Sequence, residues 1–245
     1  MNTRVRFGLI GGTGAMTVLP NANIAQFAVA TPYGDPSSRI VQWQTDTADW
    51  LFLSRHGDDG QIPPHRVNYR ANVWALRQAG CQCVIGINAV GGIHADAAPG
   101  RLVFPGQLID YTWGREHTFV DGTQASLQHV EFTSPVAAKL RAQLVARASE
   151  AELDFVADGS YAVTQGPRLE TAAEIDRLER DGCDVVGMTA MPEAGLAREA
   201  GLEYAICGVV VNRAAGRGTS DGIHAEIDTH IRAGMAQVER LLAIL

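Results

Sequence analysis

Apolar residues along the chain fall into two alternating patterns. Near-continuous apolar runs occur at Val5–Ile10, Trp50–Ser54, Cys83–Ala89, Phe155–Thr164, Asp184–Met188 and Tyr204–Val211. Strands covered on both faces read this way, because neither face needs to be polar. Between the runs, Val67, Ala71, Trp74 and Ala75 share one helical face, as do Ile175 and Leu178. Ile227, Ile231, Met235, Val238, Leu242 and Leu245 keep the helical period to the last residue. Strands and helices in alternation predict an α/β fold, a central sheet flanked by helices. No Ser/Gly/Pro-rich linker or long charge run divides the chain, so 1–245 reads as a single domain. The stretch from Pro99 to Ser134 follows neither pattern and is expected to form loops, which in such folds carry active sites or subunit contacts.

Composition narrows the functional class. The chain is 46% hydrophobic over 245 residues, enough for a sizeable core. No apolar stretch approaches the ~20 residues needed to span a membrane. Met1–Arg6 leads straight into the short apolar run Phe7–Ile10, without a secretory signal pattern. The expectation is a cytoplasmic protein that engages no membrane. Cys81 and Cys83 are spaced C-x-C with no second pair or histidine cluster nearby, so neither a zinc site nor a disulfide framework is expected. A formal charge of −7 argues against a nucleic-acid partner. It leaves room for one small anion held by local donors.

Six segments offer candidate chemistry. Gly11-Gly12-Thr13-Gly14 follows the first strand, where glycines let the backbone turn and present N–H groups to an anion. It fails as a dinucleotide fingerprint, because Thr17 stands where the third glycine belongs. Ser54-Arg55-His56-Gly57 ends another strand; Arg55 could give an oxyanion two parallel charge-assisted bonds and His56 a third. Asn88-Ala89 and Met188-Thr189 end two more strands, and together these tips would make an anion cup at the carboxyl edge of the sheet. In Gln165-Gly166-Pro167-Arg168-Leu169-Glu170-Thr171, Glu170 reads either as a helix-starting carboxylate or as a ligand acceptor. Asn212 reads either as a turn former or as an amide that can donate and accept at a purine edge.

Taken in order, Gly11–Gly14, Arg55-His56-Gly57, Val67–Leu76, Pro99-Gly100, Gln165–Arg168 and Gly187–Glu193 resemble the trimeric purine nucleoside phosphorylase family and its methylthioadenosine phosphorylase branch. The likeness runs over nearly the whole chain. It implies a nucleoside phosphorylase-like α/β domain with a mixed sheet, acting as a homotrimer with shared active sites. It implies a pentosyltransferase of purine salvage that takes a purine nucleoside, uses inorganic phosphate as co-substrate and needs no cofactor or metal. By the same likeness Thr13, Arg55, His56, Asn88, Ala89 and Thr189 bind phosphate, with Asn88 standing where the branch carries threonine. Met188 would lie against the ribose and Leu169 against the base. His129 would reach a neighbouring subunit's 5′ pocket.

The resemblance departs at the base site. Adenine-specific members carry Asp-x-Asp where this chain has Asn212-Arg213-Ala214. Glu170 looks like the glutamate that 6-oxopurine phosphorylases direct at the N1 proton, with Asn212 serving O6 or N7. Asn212, Glu170 and His56 are therefore the expected catalytic groups. A 6-oxopurine carrying a 5′-methylthio ribose, methylthioinosine, is the expected substrate; methylthioadenosine and unmodified 6-oxopurine nucleosides are the alternatives. His224 lies roughly where general phosphorylases hold a 5′-hydroxyl. A nicotinamide-dependent oxidoreductase or a nucleotide-binding module would explain the first glycine loop, but neither Arg55-His56 nor Met188-Thr189.

Overall fold

The computed structural model describes residues 4–12, 14–20, 24–120, 122, 129–218 and 223–245, the stretch 223–226 by its backbone alone. Among these, eleven strands form one mixed sheet. Its centre is four parallel strands, β4 (Ala48–Ser54), β1 (Val5–Gly11), β5 (Cys83–Gly92) and β11 (Glu203–Arg213). β3 (Ile40–Gln44) and β2 (Ala25–Phe27) extend one edge in antiparallel fashion. Beyond β5 lie β10 (Val185–Gly187), β9 (Ser160–Val163) and β7 (Gln107–Asp110), while β6 (Leu102–Val103) and β8 (Phe155–Val156) continue from β11.

Side-chain alternation along the central strands explains the layers. Ile10, Leu51, Leu53, Tyr204, Ile206 and Val210 point to one face, against α1 (Tyr69–Gln78) and α4 (Ala190–Glu199). Leu9, Phe52, Ile85, Ala205, Cys207 and Val209 point to the other, against α2 (Ala138–Glu150) and α5 (Ile223–Leu242). Both faces are therefore apolar, as the continuous runs require. A smaller cluster packs Ile175 and Leu178 of α3 (Ala172–Arg180) onto Ile93, Ala162, Val186 and Ala214. The helix α3 begins with a capping box: Thr171 accepts from the Glu174 backbone N–H, and Glu174 accepts from that of Thr171.

The α/β expectation holds, with differences in detail. The run Phe155–Thr164 is two strands, because the chain turns at Gly159, whose φ of 147° suits only glycine. The stretch expected to be all loop, Pro99–Ser134, contributes β6 and β7.

The strand ends are level: Gly11 pairs with both Ser54 and Ile87. Arg55, the residue after β4, is thereby delivered to the junction of the central strands. It is fully buried and makes a two-pronged ion pair with Glu193 of α4, Nε to Oε2 and Nη2 to Oε1, each 2.8 Å. Nη2 also donates to the Ile10 carbonyl and Nη1 to that of Ile87. The Tyr204 hydroxyl donates to Glu193 Oε1 at 2.8 Å. Space for this group exists because residue 86 is glycine; a Cβ there would lie 3.0 Å from Glu193 Oε1.

Two substitutions should separate local from global contributions. Thr171→Ala removes a cap and should cost about 1 kcal/mol. Glu193→Ala leaves a buried guanidinium unpaired and should cost about 3–5 kcal/mol. Urea denaturation of both variants measures the difference; equal losses would mean that Glu193 does not hold Arg55.

Candidate active site

A cavity of about 460 Å³ opens where β1, β4, β5, β10 and β11 end. Of the residues expected from sequence, Arg55, His56, Ala89, Leu169, Glu170, Met188, Thr189, Asn212 and Ala214 line it. Asn88 does not; it is buried behind the wall. His129 is exposed and lies outside the cavity's lining. Thr13 and the side chain of His224 fall outside the described residues.

At one end of the cavity sit donors for an anion. The expected pair of parallel bonds from Arg55 is not available, because four of its five N–H groups are engaged by Glu193, Ile10 and Ile87. The remaining N–H is on Nη1, which would lie 3.1 Å from a Cβ on Gly12 at the cavity wall. Burial opposes the charge of Arg55, but the Glu193 carboxylate outweighs it and the guanidinium stays protonated. Thr189 accepts from Asn88 Nδ2 at 2.6 Å, so its own hydroxyl proton is free to point at a ligand. Asn88 thus orients Thr189 rather than lining the cavity itself. His56 Nδ1 lies 2.7 Å from the Ile62 carbonyl, and burial together with neighbouring Arg55 lowers its pKa.

A carboxylate and an amide, Glu170 and Asn212, also line the cavity. Glu170 Oε1 accepts from the Thr164 hydroxyl at 2.7 Å, leaving Oε2 for a ligand. Asn212 sits just past an irregularity in the β11–β5 register between Val210 and Asn212. A bulge of this kind re-aims the side chain beyond it. Asn212 Nδ2 donates to the Arg213 carbonyl at 2.6 Å, which leaves one amide N–H and the carbonyl oxygen uncommitted. Arg213 itself is tied to the carbonyls of His94 and Ala95, fixing the chain on which Asn212 stands.

Several contributors were not expected from sequence. Glu193 holds Arg55, Tyr204 holds Glu193, and Thr164 holds Glu170. Arg115 donates to the carbonyls of Met188, Met191 and Gln165 at 2.6–2.8 Å, joining the two loops that carry Met188 and Leu169. Nothing in the spacing of Arg115 marks it, since these partners are backbone carbonyls 50, 73 and 76 positions away. Gln61, Ile62, Pro63 and Pro64 add a wall after β4.

Comparison with known proteins places the geometry in a family. Residues 6–245 match the model of the phosphorylase superfamily. A probable S-methyl-5′-thioinosine phosphorylase of Pseudomonas syringae is 50% identical over 238 residues, 97% of this chain and 96% of that one. The 6-oxopurine nucleoside phosphorylase of Pyrococcus furiosus is 40% identical over 227 residues, covering 91% and 84%. The methylthioadenosine phosphorylase of Schistosoma mansoni, solved with adenine, superposes with a TM-score of 0.91 at 31% identity, covering 98% of this chain and 90% of that one. From strand order to strand-tip residues, this chain belongs to the phosphorylase superfamily.

Proposed function

We propose that the protein is a pentosyltransferase that cleaves S-methyl-5′-thioinosine with inorganic phosphate, giving hypoxanthine and 5-methylthioribose 1-phosphate. The observation that carries this reading is the pairing of Glu170 and Asn212 in one cavity with the anion donors at Arg55 and Thr189. Hypoxanthine presents a donor at N1 and an acceptor at O6. Glu170 Oε2 accepts from N1–H, and the uncommitted amide N–H of Asn212 serves O6 or N7. Ala214 lines the wall without a carboxylate that could accept from an adenine amino group.

Bond making and breaking then follow from placement. A phosphate oxygen attacks the anomeric carbon while the bond to N9 breaks, and its electron pair moves into the purine. Asn212 stabilises the charge that develops at N7 and O6; Glu170 fixes the base. Phosphate faces the positive charge on the ribose, held by Arg55 Nη1, Thr189 and backbone groups near Gly12 and Ala89. Catalysis comes from orientation and fixed dipoles, with phosphate as co-substrate and no cofactor in this scheme. Met188 packs on the ribose, and the apolar lining from Ile62, Pro63, Val211 and Ile227 suits a methylthio group.

The working unit is proposed to be a cytoplasmic homotrimer. His129, exposed and away from its own cavity, would complete a neighbour's 5′ end. Trp113 at 71% exposure and Leu169 at 44% supply apolar surface for that contact. Inosine is the second substrate to consider, given the 40% identity to the 6-oxopurine phosphorylase.

Release of free base from methylthioinosine, methylthioadenosine, inosine and adenosine, with and without phosphate, tests the reading. Methylthioinosine should exceed methylthioadenosine in kcat/KM by at least ~100-fold, since mispaired donors and acceptors at a buried base edge cost about 1–3 kcal/mol each. Phosphate-independent cleavage, or equal rates for the two methylthio nucleosides, would refute it. Asn212→Ala should lower kcat by about 10²–10³ with an unchanged circular dichroism spectrum; full activity would remove its role.

A further inference from the structure

The anion end of the cavity contains an acceptor as well as donors. A backbone carbonyl can only accept, so the 2.7 Å contact between His56 and Ile62 places the ring proton on Nδ1. In the neutral ring Nε2 then carries a lone pair. The adjacent Cδ2 lies 3.8 Å from where a Cβ on Gly12 would stand, and Gly12, Arg55 and His56 line the same cavity. The Nε2 edge therefore faces the anion end.

Two charged groups face the ring, and they act in opposite directions on a proton at Nε2. Burial holds the pKa of His56 below the ordinary histidine value, and the adjacent positive charge of Arg55 adds to that effect. Glu193 would favour the proton, but its carboxylate is engaged by Arg55 and Tyr204. That same pair cancels the charge of Arg55, so the anion is held by directed bonds rather than by net charge. Arg55 Nη1 and the Thr189 hydroxyl can each meet a bare oxygen, while His56 Nε2 needs an O–H.

Building on the phosphate site proposed above, we infer that His56 accepts a hydrogen bond from a P–OH group and so makes the pocket selective for oxyanions that carry a proton. Phosphate and arsenate carry one at neutral pH. Sulfate does not, and two lone pairs would oppose each other unless the ring were protonated first. Sulfate binding must therefore take up a proton, and its affinity rises as pH falls toward the lowered pKa of His56. Sulfate itself does not titrate in this range, so the pH dependence reports the protein.

Binding is read by protection against thermal unfolding, which requires no turnover, and by competition against phosphate in base release. At pH 8, arsenate should bind within a few-fold of phosphate and sulfate at least about tenfold more weakly. Sulfate affinity should climb by up to about tenfold for each pH unit lowered. His56→Gln offers an amide N–H in place of the lone pair and should bring phosphate and sulfate to within about threefold of each other. Sulfate matching phosphate at pH 8, a flat pH response, or an unaltered ratio in His56→Gln would overturn the inference while leaving phosphate-dependent cleavage intact. Absence of any phosphate binding would instead overturn the phosphate site and the inference with it. The wild-type comparisons decide the matter even if His56→Gln does not fold.

Discussion

A fully buried guanidinium sits at the point where the central strands end. Removing a charge from water costs several kcal/mol, and a partner offsets this only when geometry is good and the remaining polar atoms are met. Arg55 satisfies that condition by drawing on separate parts of the chain: its own N–H donates to the Gly11 carbonyl, and its side chain to Ile10, Ile87 and Glu193. Tyr204 from β11 completes the carboxylate's partners. β1, β4, β5, β11 and α4 are thus fixed to one another at the edge of the cavity. Rigidity at this edge is a condition for everything built on it, because an error of about 1 Å in a catalytic group is costly.

The polar groups of the cavity share a design. Each is held by one partner, or by three for Arg55, and keeps one bonding position open: a single N–H on Arg55, the proton of Thr189, Nε2 of His56 and Oε2 of Glu170. A group held in this way has little orientation left to lose when a ligand arrives, so its dipole is set before reaction begins. Arg115 does the same for backbone, gathering the carbonyls of the Met188 and Gln165 loops around one guanidinium.

How much of this is readable from the sequence depends on the range of the determining interaction. β1, β4, β5 and β11 are legible because strands buried on both faces leave continuous apolar runs. The helix α4 is not, since it is buried almost all round and shows no polar stripe. β6 and β7 are too short to leave a pattern amid loop residues. Most strand-tip residues of the site are legible as candidates, yet their donor and acceptor roles are not. Whether Arg55 has two free N–H groups or one depends on Glu193, 138 positions away. Whether His56 donates or accepts depends on a carbonyl, which no side-chain pattern records. Asn88 stands at the expected strand end, and its bond to Thr189, a contact between side chains 101 positions apart, leaves no mark in the sequence.

These long-range determinants matter because, in the function proposed, the cavity distinguishes ligands by the direction of hydrogen bonds. With the charge of Arg55 matched by Glu193, and a formal charge of −7 on the whole chain, attraction for a dianion cannot come from a positive field. It comes from donors aimed at particular oxygens, and the Nε2 lone pair sets a requirement on a further one. The proposed base end would work by the same rule, since an amide donor and a carboxylate acceptor match a keto-purine and mismatch an aminopurine. In a site shielded from water, each wrong pairing leaves a buried group unsatisfied. In the function proposed, small changes of donor for acceptor at Asn212, Glu170 or His56 therefore redirect specificity without altering the fold, whereas a change at Glu193 removes the partner that holds Arg55.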